Sequence, residues 1–270
     1  MGEIVACANQ KGGVGKTTTV INLATYLALD RSSVLVIDLD PQGNATSGLG
    51  FDHTEEGRSI YEALVDRIEP SALVQPTSVA GLFLIPSSRD LAGLEVELVP
   101  LQQRERRLAR ALAGMRGSYD YIVLDCPPSV GLLTVNALCA ADSVLIPIQC
   151  EYYALEGLTQ LTSTVALVRD NLNPRLAVKG VVMTMFDART TLSADVSAEV
   201  RRHLGSEVFE TVVPRSVRLA EAPSYGRPIA LYSPESRGAH AYRNLALEFA
   251  RRDGRGAVAS HDVAALVASS

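Results

Sequence analysis

The residues with the clearest chemical meaning form a short segment, rich in glycine and lysine, near the amino terminus. Residues 9–18 read Asn-Gln-Lys-Gly-Gly-Val-Gly-Lys-Thr-Thr and lie between an apolar run and a segment with helical spacing of apolar residues. Glycines there let successive backbone N–H groups point at phosphate oxygens, and the positive end of the following helix adds to the attraction. A lysine reaches the β- and γ-phosphates, and the hydroxyl beside it can ligate Mg²⁺. The pattern predicts a phosphate loop with Lys16 and Thr17 in these two roles.

Three carboxylates follow apolar runs, at the point where each predicted strand ends. Asp38 and Asp40 follow the run 34–37, and Asp125 follows the run 121–124. The carboxyl ends of parallel strands form the edge at which such sheets bind ligands. An aspartate after a hydrophobic strand can hold Mg²⁺ directly or through water, and a nearby carboxylate can orient an attacking water. We therefore expect Asp125 to be a metal ligand near the phosphate loop.

Continuous apolar runs alternate with segments of helical spacing along most of the chain. Such runs are typical of parallel strands that are buried on both faces, and they occur at residues 4–8, 34–37, 121–124, 144–146 and 178–183. The alternation predicts an α/β fold, a doubly wound, mostly parallel sheet flanked by helices. We predict a single P-loop domain over residues 1–252. Residues 253–270, which are rich in Gly, Ala and Ser, are predicted to form a flexible tail.

Composition excludes several classes of protein. The 270 residues are 47% hydrophobic and 20% charged, which argues against extended disorder and coiled coils. The net charge of −5 argues against a uniformly basic nucleic-acid coat protein but leaves room for a local basic patch. The four scattered cysteines, the lack of a signal peptide and the lack of a long apolar run predict a cytoplasmic protein.

The phosphate loop departs from the general pattern because an additional lysine, Lys11, opens it. In this form Lys-Gly-Gly-Val-Gly-Lys-Thr resembles the deviant Walker A box of the ParA/MinD group of P-loop ATPases, which includes nitrogenase iron proteins. The resemblance implies ATP and Mg²⁺ as cofactors and a homodimer with ATP sandwiched between its subunits. It also implies that Lys11 contacts the phosphates bound by the partner subunit, and that Lys11 and Lys16 are candidate catalytic residues. The implied nucleotide contacts in the loop are Lys11, Gly12, Gly13, Val14, Gly15, Lys16, Thr17 and Thr18.

Further segments resemble chromosomal Soj-type members of that group, and the resemblance covers about residues 2–250. Residues 38–44 resemble the family's second signature, in which the later aspartate positions water. This implies catalysis by Asp40 and a place for Asp38 in the Mg²⁺ shell with Thr17 and Asp125. Residues 212–223 resemble the segment that wraps the adenine, which implies nucleotide contacts at Pro214 and at Ser216, where the family usually has asparagine. Segments 150–157 and 187–190 also match.

The resemblance further implies a function in DNA segregation. Arg189 and Arg218 match arginines that Soj-type proteins use on DNA, so we expect nonspecific double-stranded DNA binding by the ATP-bound dimer. Arginine suits phosphate oxygens, and contacts to the backbone alone carry no sequence preference. The implied protein is a slow ATPase stimulated by a ParB/Spo0J-like partner. It would be cytoplasmic and associated with the nucleoid in its ATP-bound state.

Other functions within the wider group stay open at the level of sequence. A MinD-like protein cycles on membranes through a basic amphipathic helix, whereas residues 256–270 contain no Lys or Arg, which disfavours this function, so we expect no membrane partner. An iron–sulfur ATPase resembling nitrogenase iron protein would need two cysteines per subunit, with Cys126 and Cys139 as candidates, but their surroundings do not match that family's ligand segments. ParA relatives that position other cargo form the remaining alternative.

Overall fold

The fold centres on an eight-stranded sheet, seen in a computed structural model that describes residues 2–52, 58–151 and 154–253. In chain order the strands are β1 (Glu3–Cys7), β2 (Val34–Asp38), β3 (Gln75–Pro76), β4 (Leu82–Ile85), β5 (Tyr121–Asp125), β6 (Ser143–Gln149), β7 (Ala177–Phe186) and β8 (Val208–Pro214). Across the sheet their order is β3-β4-β2-β5-β1-β6-β7-β8. β3 runs antiparallel to β4, and the other neighbours pair in parallel. The predicted mostly parallel sheet is confirmed.

Helices cover both faces of the sheet, as the continuous apolar strands require. They are α1 (Lys16–Leu29), α2 (Asn44–Gly48), α3 (Ile60–Leu64), α4 (Leu91–Leu98), α5 (Arg107–Leu112), α6 (Leu132–Ala140), α7 (Ala154–Asn171), α8 (Thr191–Leu204), α9 (Val217–Glu221), α10 (Ile229–Tyr232) and α11 (Arg237–Arg252). Helices α3 to α8 contribute to the core on one face, and α1, α2 and α9 to α11 contribute to the core on the other. Successive residues of β1 point to opposite faces of the sheet. Ile4 and Ala6 belong to the first core, and Val5 and Cys7 belong to the second.

The strand β4 was not singled out from the sequence, and it matters for the site. It is a four-residue run that pairs with β2, where Ile37 lies opposite Ile85. Pro86 follows the strand and cannot continue its hydrogen-bond ladder. Because β4 runs parallel to β2, the segment after β4 lies at the same edge of the sheet as the segment after β2.

The last described residue is fixed to the body of the domain. Asp253, the first residue of the predicted tail, accepts a hydrogen bond of 2.9 Å from the Tyr121 hydroxyl and pairs with Lys179. Lys179 also pairs with Glu3 on β1, at 2.8 Å. The rest of the predicted tail, residues 254–270, lies outside the described residues. Within the described part of the chain, no helix combines the length and apolar character needed to cross a bilayer.

Candidate nucleotide-binding and catalytic site

The segment between β1 and α1 forms the predicted loop at the carboxyl edge of the sheet. Gly13 and Gly15 have φ angles of +76° and +84°, a left-handed conformation that glycine adopts without steric cost. Gly15 precedes α1, and no side chain caps that helix end. The first N–H groups of α1 are therefore available to an anion, which the positive end of the helix also attracts.

Two polar residues anchor the loop to neighbouring strands. The Asn9 amide donates to the Pro147 carbonyl on β6 at 2.7 Å, and its oxygen accepts from the backbone N–H of Lys11 at 3.0 Å. The Thr184 hydroxyl on β7 lies 2.7 Å from the Val14 carbonyl, close to the middle of the loop. Sequence reasoning did not assign either residue. Asn9 adjoins the motif and could have been noticed, whereas nothing local marks Thr184.

The two lysines of the loop occupy different environments. Lys16 is buried, and its ammonium donates to the Lys11 carbonyl at 3.2 Å, so it lies beneath the curve of the loop. The Lys11 side chain is 43% exposed and forms an ion pair with Glu151, with Nζ 2.9 Å from Oε2. Gln149 also donates to this carboxylate. The structure thus separates an internal lysine from one that points outward and is already paired.

Asp125 is a buried carboxylate at the end of β5. The side chain is fully buried at the end of β5, and neither oxygen has a partner of normal geometry among the described residues. Burial, and next the charge of Asp38 opposite it on β2, raise the pKa of Asp125 well above its usual range, while the nearby Thr17 side chain lowers it. An unpartnered buried carboxylate is costly, and a divalent cation would remove that cost.

The surroundings of Asp125 fit Mg²⁺ in particular. Among the residues that the structure describes, no group of three His, Cys, Asp or Glu side chains could hold a metal ion. Mg²⁺ does not need such a cage, because it is usually held by one or two carboxylates together with phosphate oxygens and water. The Thr17 hydroxyl and the Asp125 carboxylate are oxygen groups of the kind that Mg²⁺ binds, and they lie near each other beside the phosphate loop.

Asp38, in contrast, is fully engaged within the protein. One oxygen accepts from the backbone N–H and the hydroxyl of Thr46, both at 2.8 Å, and the other accepts from the backbone N–H of Asp40 at 3.1 Å. Burial raises the pKa of Asp38 to about 6 against these bonds, which favour the charged form. Asp38 therefore shapes the segment after β2, and its predicted place in the Mg²⁺ shell stays a prediction.

Asp40 lies nearly buried at the same edge, in a tightly held turn. Its carboxylate accepts from the backbone N–H of Gln42 at 3.0 Å. Its carbonyl accepts from the backbone N–H of Gly43 at 2.9 Å and from the Ser87 hydroxyl at 2.5 Å. Asp40 is thus fixed within the group of buried side chains that includes Asp38, Asp125 and Lys16, since the charge of Asp40 also raises the pKa of Asp125.

A cavity of about 240 Å³ extends from the start of α1 towards the end of β8. The predicted nucleotide contacts Pro214 and Ser216 line it together with Gly15 and Thr18 of the loop region. Apolar groups make up much of the remaining wall, at Met185, Val213, Leu219, Ala220 and Tyr242. A concave, largely apolar space next to a phosphate loop suits a planar base. Ser216 makes no side-chain hydrogen bond as the cap of α9.

The two arginines predicted to contact DNA follow neighbouring strands, Arg189 on the loop after β7 and Arg218 in α9 after β8. β7 and β8 pair at Phe186 and Pro214, so both segments leave the same edge of the sheet. Arg189 is highly exposed and donates to both oxygens of Asp187, at 2.9 and 2.7 Å. Arg218 is exposed and pairs with Glu221 at 2.9 Å. Their predicted role stays a prediction, and each guanidinium already has a carboxylate partner.

Comparison with known proteins decides the family. The chain matches the family model described as "AAA domain" over residues 2–178. It is 55% identical to the sporulation initiation inhibitor protein Soj of Bacillus subtilis strain 168, over 93% of this chain and 99% of that protein. The chain belongs to the ParA/Soj family of partitioning ATPases. It is also 53% identical to the chromosome partitioning protein ParA of Myxococcus xanthus, over 94% of this chain and 89% of the relative.

A solved structure shares the fold of this chain. The chain superposes with a TM-score of 0.82 on cobyrinic acid a,c-diamide synthase from Mycobacterium smegmatis, solved with a bound ATP analogue and magnesium. The two are 39% identical, and the match covers 94% of this chain and 98% of that one. The resemblance read from the loop and the predicted fold are both confirmed.

The cysteines considered for an iron–sulfur cluster have another role in the fold. Cys126 is buried in the core to which α3 to α8 contribute, and burial raises its pKa. Cys139 lies within α6, partly buried against the same core, and burial raises its pKa to about 11. Both thiols are thereby kept in the protonated, unreactive form, which is typical of cysteines that serve in packing.

Proposed function

We propose that this partitioning ATPase is a switch. It binds ATP with Mg²⁺, dimerises around the nucleotide, binds duplex DNA without sequence preference, and returns to the monomer on hydrolysis. A ParB/Spo0J-like partner would stimulate that hydrolysis, and the cycle would segregate a chromosome or plasmid. The observation that carries the proposal is the meeting of the phosphate loop, the unpartnered Asp125 and the fixed Asp40 at one sheet edge.

Binding of the nucleotide follows from the loop and the adjoining cavity. The N–H groups at the start of α1 and the ammonium of Lys16 would hold the phosphates, and the cavity at Pro214 and Ser216 would take the base. Thr17 and Asp125 would hold Mg²⁺, with Asp38 behind them. Bound there, the metal supplies neutralisation of the charge that develops on the phosphate oxygens.

In hydrolysis, Asp40 would orient the attacking water molecule. A carboxylate fixed through its own backbone can accept a hydrogen bond from a water molecule and align it towards the γ-phosphate. Intrinsic turnover should be slow, because the phosphate loop itself, residues 9–18, contains no arginine. An arginine supplied by a partner raises turnover by about 10³–10⁵ in comparable switches.

Lys11, the exposed lysine of the loop, would act across the dimer interface. Lys11 projects outward from the loop and would reach the phosphates held by the partner subunit, after leaving Glu151. Two subunits would then share two nucleotides, so that dimerisation depends on ATP. Pairing of Arg189 and Arg218 from both subunits would double the cations presented to DNA, which strengthens phosphate binding and its dependence on salt.

Matched lysine variants test this arrangement. We expect Lys16→Ala to lose tight ATP binding, because it removes the buried charge under the loop. Lys11→Ala should bind ATP yet remain monomeric, because it removes only the contact across the interface. Isothermal titration and light scattering during size-exclusion chromatography measure the two properties. ATP-dependent dimers of Lys11→Ala, or wild-type ATP affinity of Lys16→Ala, would contradict the proposal.

A further inference from the structure

Two buried hydroxyl side chains link the segment after β2 to the segment after β4. The Ser87 hydroxyl donates to the Asp40 carbonyl at 2.5 Å, and the Ser87 backbone N–H donates to the Thr46 hydroxyl at 3.0 Å. The Thr46 hydroxyl in turn donates to Asp38 at 2.8 Å. Ser87 and Thr46 are 2% and 0% exposed, so water does not compete for these bonds.

These bonds close a ring around the backbone of Asp40. Its N–H donates to Asp38, its carbonyl accepts from Ser87, and Thr46 joins Asp38 to Ser87. Both branches of the ring run from Ser87, which donates to Asp40 and Thr46, to Asp38, which accepts from both, so every donor has an acceptor. Buried networks in which every member is satisfied are rigid, because no bond can be exchanged for one to water.

We propose that Ser87 and Thr46 are positioning residues that hold Asp40 in its hydrolytic orientation. The inference rests on the proposed role of Asp40 in orienting water. Neither hydroxyl needs to touch the nucleotide, since Ser87 bonds the Asp40 carbonyl and Thr46 acts on Asp40 only through Asp38 and Ser87. The Asp40 carboxylate is attached to the main chain through a single CH₂ group. It also accepts a hydrogen bond from the backbone N–H of Gln42, so the orientation of the carboxylate follows the position of the main chain.

The arrangement also explains why β4 is part of the active site. Ser87 lies two residues beyond β4, and the pairing of β4 with β2 sets its height along the sheet. Ile60 donates its backbone N–H to the Pro86 carbonyl at 2.9 Å, which fixes the residue just before Ser87. A shift of β4 would therefore move the hydroxyl away from Asp40.

Ser88 provides a matched control for substitution of Ser87. It is the same residue type, next in the chain and 6% exposed, but its hydroxyl accepts a 3.0 Å bond from Ser59 at the start of α3. Ser87→Ala and Ser88→Ala therefore remove the same atom from similar burial. Ser87→Thr keeps a hydroxyl at the position, and Thr46→Val removes the second hydroxyl while retaining side-chain volume.

The test is single-turnover hydrolysis of ATP with Mg²⁺, in parallel with ATP affinity by titration. We expect Ser87→Ala and Thr46→Val to lower the turnover of bound ATP by roughly tenfold, because small displacements of a catalytic group cost 10- to 100-fold. ATP affinity should not change. Ser88→Ala should hydrolyse ATP like the wild type, and Ser87→Thr should recover much of the rate.

A double variant separates positioning from general loosening of the fold. Because Ser87 acts through Asp40, adding Ser87→Ala to Asp40→Ala should lower turnover no further. An additive loss, equal effects of Ser87→Ala and Ser88→Ala, or weaker ATP binding with unchanged turnover of the bound fraction would overturn the inference. Wild-type turnover of Asp40→Ala would instead refute the proposed function.

Discussion

Replacing Glu151 with glutamine should strengthen ATP-dependent dimerisation. In the monomer the Lys11 ammonium lies 2.9 Å from the Glu151 carboxylate. In the proposed dimer the same ammonium contacts the partner's phosphates, so the pair must break before the interface forms. Glutamine keeps the shape of the side chain and removes the charge that holds Lys11 back.

The size of the effect follows from the exposure of the pair. Both side chains are 43% exposed, and exposed ion pairs contribute about 0.2–1 kcal/mol. Each dimer breaks two pairs, so dimerisation should gain about 0.4–2 kcal/mol, or roughly 2- to 30-fold in its equilibrium constant. The gain should shrink as salt rises, because screening already weakens the pair in the wild type.

Sedimentation equilibrium with Mg²⁺ and ATP measures this constant directly, in an Asp40→Ala background in which the proposed function expects turnover to be slow. Glu199→Gln is the matched control, since Glu199 pairs with Arg202 on the surface of α8 and its loss changes net charge equally. The reasoning is refuted if Glu151→Gln dimerises no more tightly than this control. It is also refuted if the gain is independent of salt.

Three further outcomes are expected. Asp40→Ala should bind ATP and dimerise, with turnover lowered by about 10²–10⁴, measured as phosphate release; turnover at the wild-type rate would assign the water elsewhere. Arg189→Ala combined with Arg218→Ala should abolish binding to random duplex DNA but not dimerisation, and an unchanged salt slope in fluorescence anisotropy would contradict this. The raised pKa of Asp125 means that its contribution to stability is present at acid pH and lost as pH rises. Asp125→Asn should therefore raise the melting temperature of the nucleotide-free protein at neutral pH and remove the extra stabilisation by Mg²⁺ with ATP, and calorimetry showing no rise would refute the argument.

The phosphate loop could be predicted because its determinants are local. The glycines that adopt left-handed conformations, the lysine and the hydroxyl all lie within ten consecutive residues. The main strands were also predictable, since continuous apolar runs reflect burial on both faces. The short strand β4 was missed although its four apolar residues form a run as long as 34–37 and 121–124, so the signal was present in the sequence.

Tertiary structure decided which side chains meet at the site and how each is satisfied. Thr184 lies 170 residues from the loop that it supports, and Ser87 reaches Asp40 through the pairing of β4 with β2. The sequence shows Asp38 and Asp125 as similar aspartates after similar strands. Only the folded chain distinguishes them, because the turn and helix after β2 bring Asp40 and Thr46 back to both oxygens of Asp38, whereas no described residue bonds the Asp125 carboxylate with normal geometry.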